Sequence, residues 1–309
     1  MRCLVTGAAG FIGSHLSEAL VEGGNSVLGI DCFTDYYPKR AKVANLSKLR
    51  KMKGFRLVEM DLSSGKIPPL LNDVEYVFHL AAQPGVRASW GTSFSHYVKD
   101  NVVATQRLLE ALKGVPIKKM IYASSSSIYG DSERFPTPEE TTPRPVSPYG
   151  ATKLDGESLC HVYLRNHSIP VVVLRYFTVY GPRQRPDMAF HTFISRIARG
   201  QGIAVYGDGE QRRDFTFVGD TVAATVLASE AKPGSVYNVG GGSSTSLNQV
   251  ILTIESILRK KARIKRLPSA LGDVKDTSAD IARIRADLSY EPVTPLTAGL
   301  RMQVAAQVE

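Results

Sequence analysis

Tyr149 and Lys153 close the run Tyr149-Gly150-Ala151-Thr152-Lys153. At that spacing both residues lie on one face of a helix. A free tyrosine has a pKa of about 10, and a neighbouring ammonium or a positively charged nicotinamide ring favours its phenolate. The pair reads as a base with electrostatic support, able to take a proton from an alcohol near neutral pH. Upstream, Ser124-Ser125-Ser126-Ser127-Ile128-Tyr129-Gly130 ends an apolar run. Ser125 is placed to hold a substrate oxygen, and Tyr149, Lys153 and Ser125 are the candidate catalytic residues.

The N-terminal segment supplies a second kind of chemistry. Thr6-Gly7-Ala8-Ala9-Gly10-Phe11-Ile12-Gly13 follows a strand-like run and opens a helical one. Gly7, Gly10 and Gly13 permit a tight turn and a close approach of the backbone to a pyrophosphate. The helix start, with Phe11 and Ile12, adds free N–H groups and a partial positive charge. Asp31 ends the next strand-like run, 24 residues after Gly7. That is close to the ~20 expected of the acid that binds the adenosine ribose hydroxyls. A carboxylate there repels a 2′-phosphate, so the cofactor expected is NAD rather than NADP. Asp61 and Leu62 end the third run and are expected beside the adenine. Leu80, Ala81 and Ala82 end the fourth, small enough for a cofactor to pack on the backbone.

Alternating strands and helices must position these groups. Strands are expected at Arg2–Val5, Ser26–Ile30, Phe55–Glu59, Val74–Leu80, Lys118–Ala123, Val171–Tyr176 and Ser235–Val239. Helices are expected at Phe11–Glu22, Lys39–Lys53, Phe94–Leu112 and Pro148–Arg165, then near Met188–Ala198, Thr221–Ala231, Leu247–Arg259 and Ala279–Leu288. The repeated strand–helix order predicts an α/β fold with a doubly wound parallel sheet covered on both faces. Continuous apolar runs such as Val171-Val172-Val173-Leu174 suit strands buried on both sides. The expected division is a Rossmann-like NAD-binding domain over 1–175 and mainly a substrate-binding lobe over 176–309. The late strand near 235–239 is expected to return to the sheet.

Composition narrows the class. The 309 residues are 43% hydrophobic and 22% charged, ordinary for a globular protein. The longest apolar runs fall short of the ~18 residues of a membrane span. Cys3, Cys32 and Cys160 lack metal-ligand spacing, which points to free thiols in a reducing cytoplasm. The net charge of +9 suits an anionic small molecule as well as a nucleic acid. Much of the excess lies in Lys39–Lys53, which reads as a solvated helix face. No nucleic-acid-binding signature accompanies it, so no nucleic-acid partner, membrane or metal is expected.

Together, the glycine turn, the acid after the second strand, the serine-rich strand end and the Tyr–Lys pair resemble the extended short-chain dehydrogenases/reductases of the NAD-dependent epimerase/dehydratase family, over nearly the whole chain. The resemblance implies a UDP-sugar substrate, bound NAD and a homodimer paired through the Tyr–Lys helix. Leu154, Leu159, Val162 and Leu164 are compatible with that pairing. Asn101 falls on the family's Asn in the helix after strand four, and Tyr176 joins the cofactor residues. Arg213 matches the diphosphate-binding arginine, Tyr206 the uracil-packing position, and Asp273 the acid of a late Gly-Asp-Val. Dehydratases of the family carry an Asp-Glu pair where this chain has Ser126 and Ser127. Decarboxylases usually carry a Glu there, so 4-epimerisation is the reading that is left.

Four segments are similar to the UDP-glucuronate 4-epimerases. They are Asp35-Tyr36-Tyr37, Ala82-Gln83-Pro84-Gly85-Val86-Arg87, Arg175–Pro182 with Thr178 in place of Asn, and Arg185-Pro186-Asp187-Met188-Ala189. Ala270 stands where UDP-glucose 4-epimerases commonly have an Arg. The substrate residues implied are Arg87, Ser125, Ser126, Ser127, Tyr149, Thr178, Arg185, Ala189, Tyr206, Arg213 and Asp273. The resemblance implies that Lys153 orients the cofactor ribose and depresses the Tyr149 pKa. UDP-glucose 4-epimerisation is the alternative reading, and a non-catalytic NAD(H)-binding regulator is the alternative of another class.

Overall fold

The apolar runs of the first half become strands, and the amphipathic stretches between them become helices. The structure is a computed structural model that describes residues 1–268, 272 and 274–308. In chain order its first half contains β1 (Arg2–Thr6), α1 (Phe11–Glu22), β2 (Ser26–Asp31), α2 (Lys39–Asn45), β3 (Phe55–Glu59), β4 (Tyr76–His79), α3 (Phe94–Tyr97), α4 (Ala104–Leu112), β5 (Lys119–Ser125), α5 (Pro148–His167) and β6 (Val171–Tyr176). The second half contains β7 (Thr178–Tyr180), α6 (Ala189–Ala198), β8 (Gly202–Tyr206), β9 (Arg212–Phe217), α7 (Val218–Leu227), β10 (Val236–Val239), β11 (Ser244–Ser246), α8 (Leu247–Leu258), β12 (Arg263–Leu267), α9 (Ala282–Leu288) and α10 (Leu296–Val308).

Seven strands form one sheet in the order β3-β2-β1-β4-β5-β6-β10, all parallel. This is the doubly wound Rossmann-like arrangement. The order reverses between β1 and β4, which opens a crevice outside their carboxyl ends. Alternate residues of one strand serve opposite faces. Cys3 and Val5 of β1 enter a core with Phe11, Leu16 and Leu20 of α1 and Val222 of α7. Leu4 enters the other core, with Leu108, Leu109 and Leu112 of α4 and Tyr163 of α5.

The second half adds a smaller lobe. α6, α8 and α10 pack Phe190, Phe193, Ile194, Ile254, Leu300 and Val304 against Ile203 and Val205 of β8. β7, β9 and β11 make a three-stranded sheet, and β8 pairs with β12. β10 lies beside β6 at the edge of the main sheet.

Two expected helices differ. The one expected over Lys39–Lys53 stops at Asn45, and a 3₁₀ turn follows at Leu49–Lys51. Leu46 and Leu49 turn in to pack with Ala9 and Phe33. The helix expected over Phe94–Leu112 contains a π-helical stretch at Val98–Val103. The Asn101 side chain inside it is buried and bonded to the neighbouring loop, as described below; such inserted turns often mark functional positions.

Candidate active site

The carboxyl ends of the central strands surround a cavity that opens to solvent. Gly7, Gly10, Phe11, Ile12, Gly13, Asp31, Asp61, Leu62, Leu80, Ala81, Ala82, Tyr149, Lys153, Tyr176 and Arg185 all line it.

The glycine turn is built for close approach. Gly7 has φ +71°, and a Cβ on Gly13 would lie 2.1 Å from the Gly7 carbonyl oxygen. A side chain at Gly13 would push the first turn of α1 off the loop and fill the cradle. Asp31 is buried. Its Oδ2 accepts the Ala9 N–H at 3.0 Å and its Oδ1 the Phe33 N–H at 2.8 Å. Each carboxylate oxygen keeps a lone pair, so the held group can still accept a pair of hydroxyls. Asp61 accepts the Lys99 ammonium at 2.6 Å and both the N–H and hydroxyl of Ser63. Burial works against its ionisation, yet these bonds hold its carboxyl below the usual range.

α5 carries the Tyr–Lys pair. Ser147 caps it by accepting the Gly150 N–H at 3.1 Å, and Pro148 takes the first position. A Cβ on Gly150 would lie 2.4 Å from the Ser127 carbonyl oxygen, so the missing side chain lets Tyr149 reach the serine segment. Burial raises the Tyr149 phenol; a hydrogen bond with Ser125 and the Arg185 guanidinium oppose that rise. Ser125 Oγ accepts the Ser127 N–H at 3.1 Å, which leaves its own proton to donate. Burial also lowers the Lys153 ammonium to about 8. The charge that opposes the rise at Tyr149 in the protein alone is that of Arg185, and Lys153 Nζ lies over the Tyr122 ring, 4.9 Å from its centre.

A buried polar frame holds these groups. Asn101, expected as a cofactor residue, is buried and is not among the residues that line the cavity. Its Oδ1 accepts the Gln83 N–H at 2.6 Å, and its Nδ2 donates to the Gln83 carbonyl and to Thr152 Oγ1. It therefore staples the loop after β4 to α5. Thr105 Oγ1 donates its proton to the Asn101 carbonyl and therefore accepts from His79 Nε2–H. Neutral His79 then accepts the Thr6 hydroxyl at Nδ1, 2.7 Å away, while Thr6 Oγ1 accepts the Ala81 N–H. Burial pushes His79 down to about 3 and keeps it neutral. Glu157 accepts the Ser124 hydroxyl and pairs with Arg175 at 2.8 Å, tying the end of β5 to α5 and β6.

Of the other expected substrate residues, Arg87, Ser125, Ser126, Ser127, Thr178, Ala189, Tyr206 and Arg213 are not among those that line this cavity. Ser126 and Ser127 begin a 3₁₀ turn directly after Ser125. The Arg87 guanidinium stacks 4.1 Å from the centre of the Tyr206 ring. Arg213 donates to the main-chain carbonyls of Arg212, Val274 and Lys275. Thr178 starts β7 opposite Phe215, and Ala189 opens α6. Asp273, like Ala270, lies outside the described residues. Cavity-lining residues that sequence reasoning did not assign to the site include Cys32, Thr34, Tyr36, Tyr37, Lys42 and Asp100. Asp35-Tyr36-Tyr37 carries a usable signal, since it is one of the four uronate-like segments.

Comparison with known proteins gives the family. The model described as "NAD dependent epimerase/dehydratase family" matches residues 3–240. The chain belongs to this family. Among family members, an uncharacterized UDP-glucose epimerase of Bacillus subtilis is 44% identical over 309 residues, spanning 99% of this chain and 97% of its own. A UDP-glucuronate 4-epimerase of Thermodesulfobacterium geofontis is 38% identical over 306 residues, spanning 97% and 94%. A UDP-glucuronic acid 4-epimerase from Bacillus cereus, solved in complex with UDP-glucuronic acid and NAD, matches with a TM-score of 0.97. It is 44% identical, and the match covers 100% of this chain and 99% of that one.

Proposed function

We propose that the protein is a UDP-glucuronate 4-epimerase, an NAD-dependent isomerase that interconverts UDP-glucuronate and UDP-galacturonate through a transient 4-keto sugar. The observation that carries this reading is the full-length match to a UDP-glucuronic acid 4-epimerase at a TM-score of 0.97, together with Tyr149, Lys153 and Arg185 on one cavity. Residues Gly7, Gly10, Gly13 and Asp31 would hold NAD, with Lys153 beside its ribose. When bound, NAD supplies a reversible hydride acceptor for the sugar C4.

The chain's own residues manage the proton and the sugar. Tyr149 Oη takes the 4-OH proton, and the Ser125 hydroxyl holds the same oxygen. The Arg185 charge favours the phenolate in the meantime. The keto sugar turns about its link to the diphosphate, and Tyr149 returns the proton on the other face. A positioned base of this kind contributes ~10²–10⁴-fold. The 4-keto uronate is a β-keto acid and can lose CO₂. Hydroxyls of Ser125, Ser126 and Ser127, with Arg185, would hold its carboxylate out of line with the carbonyl.

The Bacillus subtilis relative favours UDP-glucose as the second reading. The family resemblance implies a homodimer paired through the helix that carries the Tyr–Lys motif, and it is proposed here on that ground. Val162 on α5 and Phe94 on α3 are 48% and 41% exposed, as such a face requires. Of the other residues considered for that face, Leu154 and Leu159 pack on the two cores instead. A cytoplasmic location agrees with three free cysteines and with no membrane-spanning helix among the described residues.

Hydride return has a direct test. UDP-glucuronate deuterated at C4 should give UDP-galacturonate with the deuterium retained at C4. Washout into solvent would contradict the mechanism.

A further inference from the structure

Three of the four uronate-like segments meet at one place beside Tyr149. Arg185 donates to Asp187 through Nε to Oδ1 and Nη2 to Oδ2, both at 3.0 Å. The Tyr36 hydroxyl donates to Asp187 Oδ2 at 3.3 Å. Its ring centre lies 6.0 Å from the guanidinium. Gly85 backs that hydroxyl: it has φ +101°, and a Cβ there would stand 2.3 Å from Tyr36 Oη. Tyr97 fixes the Gly85 loop by donating to the carbonyls of Pro84 and Gly85. The Tyr97 ring stands edge-on to Tyr149 with centres 6.2 Å apart.

A guanidinium presents five N–H groups in a rigid fork. Asp187 occupies one edge, Nε with Nη2. The Nη1–Nη2 edge keeps the geometry that matches a second carboxylate in bidentate fashion. Arg185 lines the cavity together with Tyr149. Without Asp187 the long side chain has several rotamers to choose from.

We propose that Asp187, supported by Tyr36 over Gly85, is a positioning residue that locks one edge of Arg185 and so presents the other edge to the carboxylate of the sugar. The inference rests on the uronate reading. It makes discrimination between an acidic and a neutral sugar depend on a residue that need not touch either one. Asp187 also pairs the Arg185 charge, so the arginine is held by a partner and not stranded.

The test is binding of UDP-glucuronate and of UDP-glucose to the NAD-loaded protein, by calorimetry, in a Tyr149→Phe background that blocks turnover. Asp187→Ala should weaken UDP-glucuronate about tenfold or more, as loss of an oriented charge-assisted contact predicts, and UDP-glucose less than about twofold. Asp187→Asn keeps an acceptor for Nε and should recover part of the loss. Tyr36→Phe should weaken UDP-glucuronate by a smaller factor. Equal losses for both ligands, or no loss for either, would overturn the positioning role. Thermal melting identifies a folding defect in Asp187→Ala, in which case Asp187→Asn decides by the same ratio. Tighter binding of UDP-glucose than UDP-glucuronate by the background protein itself would overturn the uronate reading and this inference with it.

Discussion

Lys153 is 4% exposed, and burial lowers its ammonium from 10.5 to about 8. At 1.36 kcal/mol per unit, that is a stability cost of about 3 kcal/mol. Below pH 8 the group is charged in both the folded and unfolded chains, and the cost is complete. Between about pH 8 and 10.5 the folded protein releases the proton first, so the unfolded chain binds more protons and stability rises with pH. Lys153→Met should therefore stabilise the NAD-free protein at pH 7 by up to about 3 kcal/mol while removing activity. The gain should shrink across that window. Paired denaturant melts of the wild type and the variant measure it, and a variant less stable at pH 7 would contradict the account. The place proposed for the ammonium beside the cofactor ribose would account for such a cost. Sequence spacing is enough to place Tyr149 and Lys153 on one face. It is silent on where the lysine points, since Tyr122, Glu157 and Cys160 come from other turns and another strand.

Among elements, the end of β5, α5 and β6 are joined by one buried pair. Arg175 and Glu157 are 8% and 9% exposed at their side chains, and Arg175 also donates to Tyr129 and to the Glu139 carbonyl. Removing one partner strands the other charge. Glu157→Ala should cost ~3–5 kcal/mol, and replacing both residues by Met should return much of it. Chemical denaturation of the three proteins checks this; a single-variant cost under about 1 kcal/mol would show that the pair is not what joins these elements. Elements were legible in the sequence to differing degrees for physical reasons. The turn through Gly7, Gly10 and Gly13 is local, so its chemistry is written in consecutive residues. β1, β4, β5 and β6 are mostly buried, whereas the edge strand β3 is half-buried to exposed. β7 and β11 have three residues each, too few for a period to register. α10 buries Leu300 and Val304 but carries apolar residues around its whole circumference, which blurs its face. Asn101 is read as a cofactor residue because its place in the chain fits. The π turn and its bonds to Gln83 and Thr152 turn it inward, and these are tertiary facts. Likewise Tyr36 and Asp187, 151 residues apart, meet only once both lobes are in place.

At the scale of the molecule, a net charge of +9 faces a substrate that carries a diphosphate and a carboxylate. Long-range attraction of this kind speeds encounter and is screened by salt. kcat/KM for UDP-glucuronate should fall several-fold as added salt rises from about 0.02 M to about 0.5 M, with kcat little changed. A salt-independent kcat/KM would mean that the excess charge lies too far from the entrance to steer. The doubly wound sheet and its crevice are readable from the alternation of strands and helices. The smaller lobe is less so, because α6, α8 and α10 make their core with one another and with the short strands β7, β8 and β9.

This enzyme is expected to turn over a uronate with a cofactor that it already holds. The direct measurement is proton NMR of the purified protein incubated separately with UDP-glucuronate and UDP-glucose, without added NAD. The account predicts UDP-galacturonate from the first and no conversion of the second. Conversion of UDP-glucose alone would contradict it in favour of a hexose epimerase, and a UDP-pentose product would contradict the assignment of the Ser125–Ser127 segment as the guard against loss of CO₂.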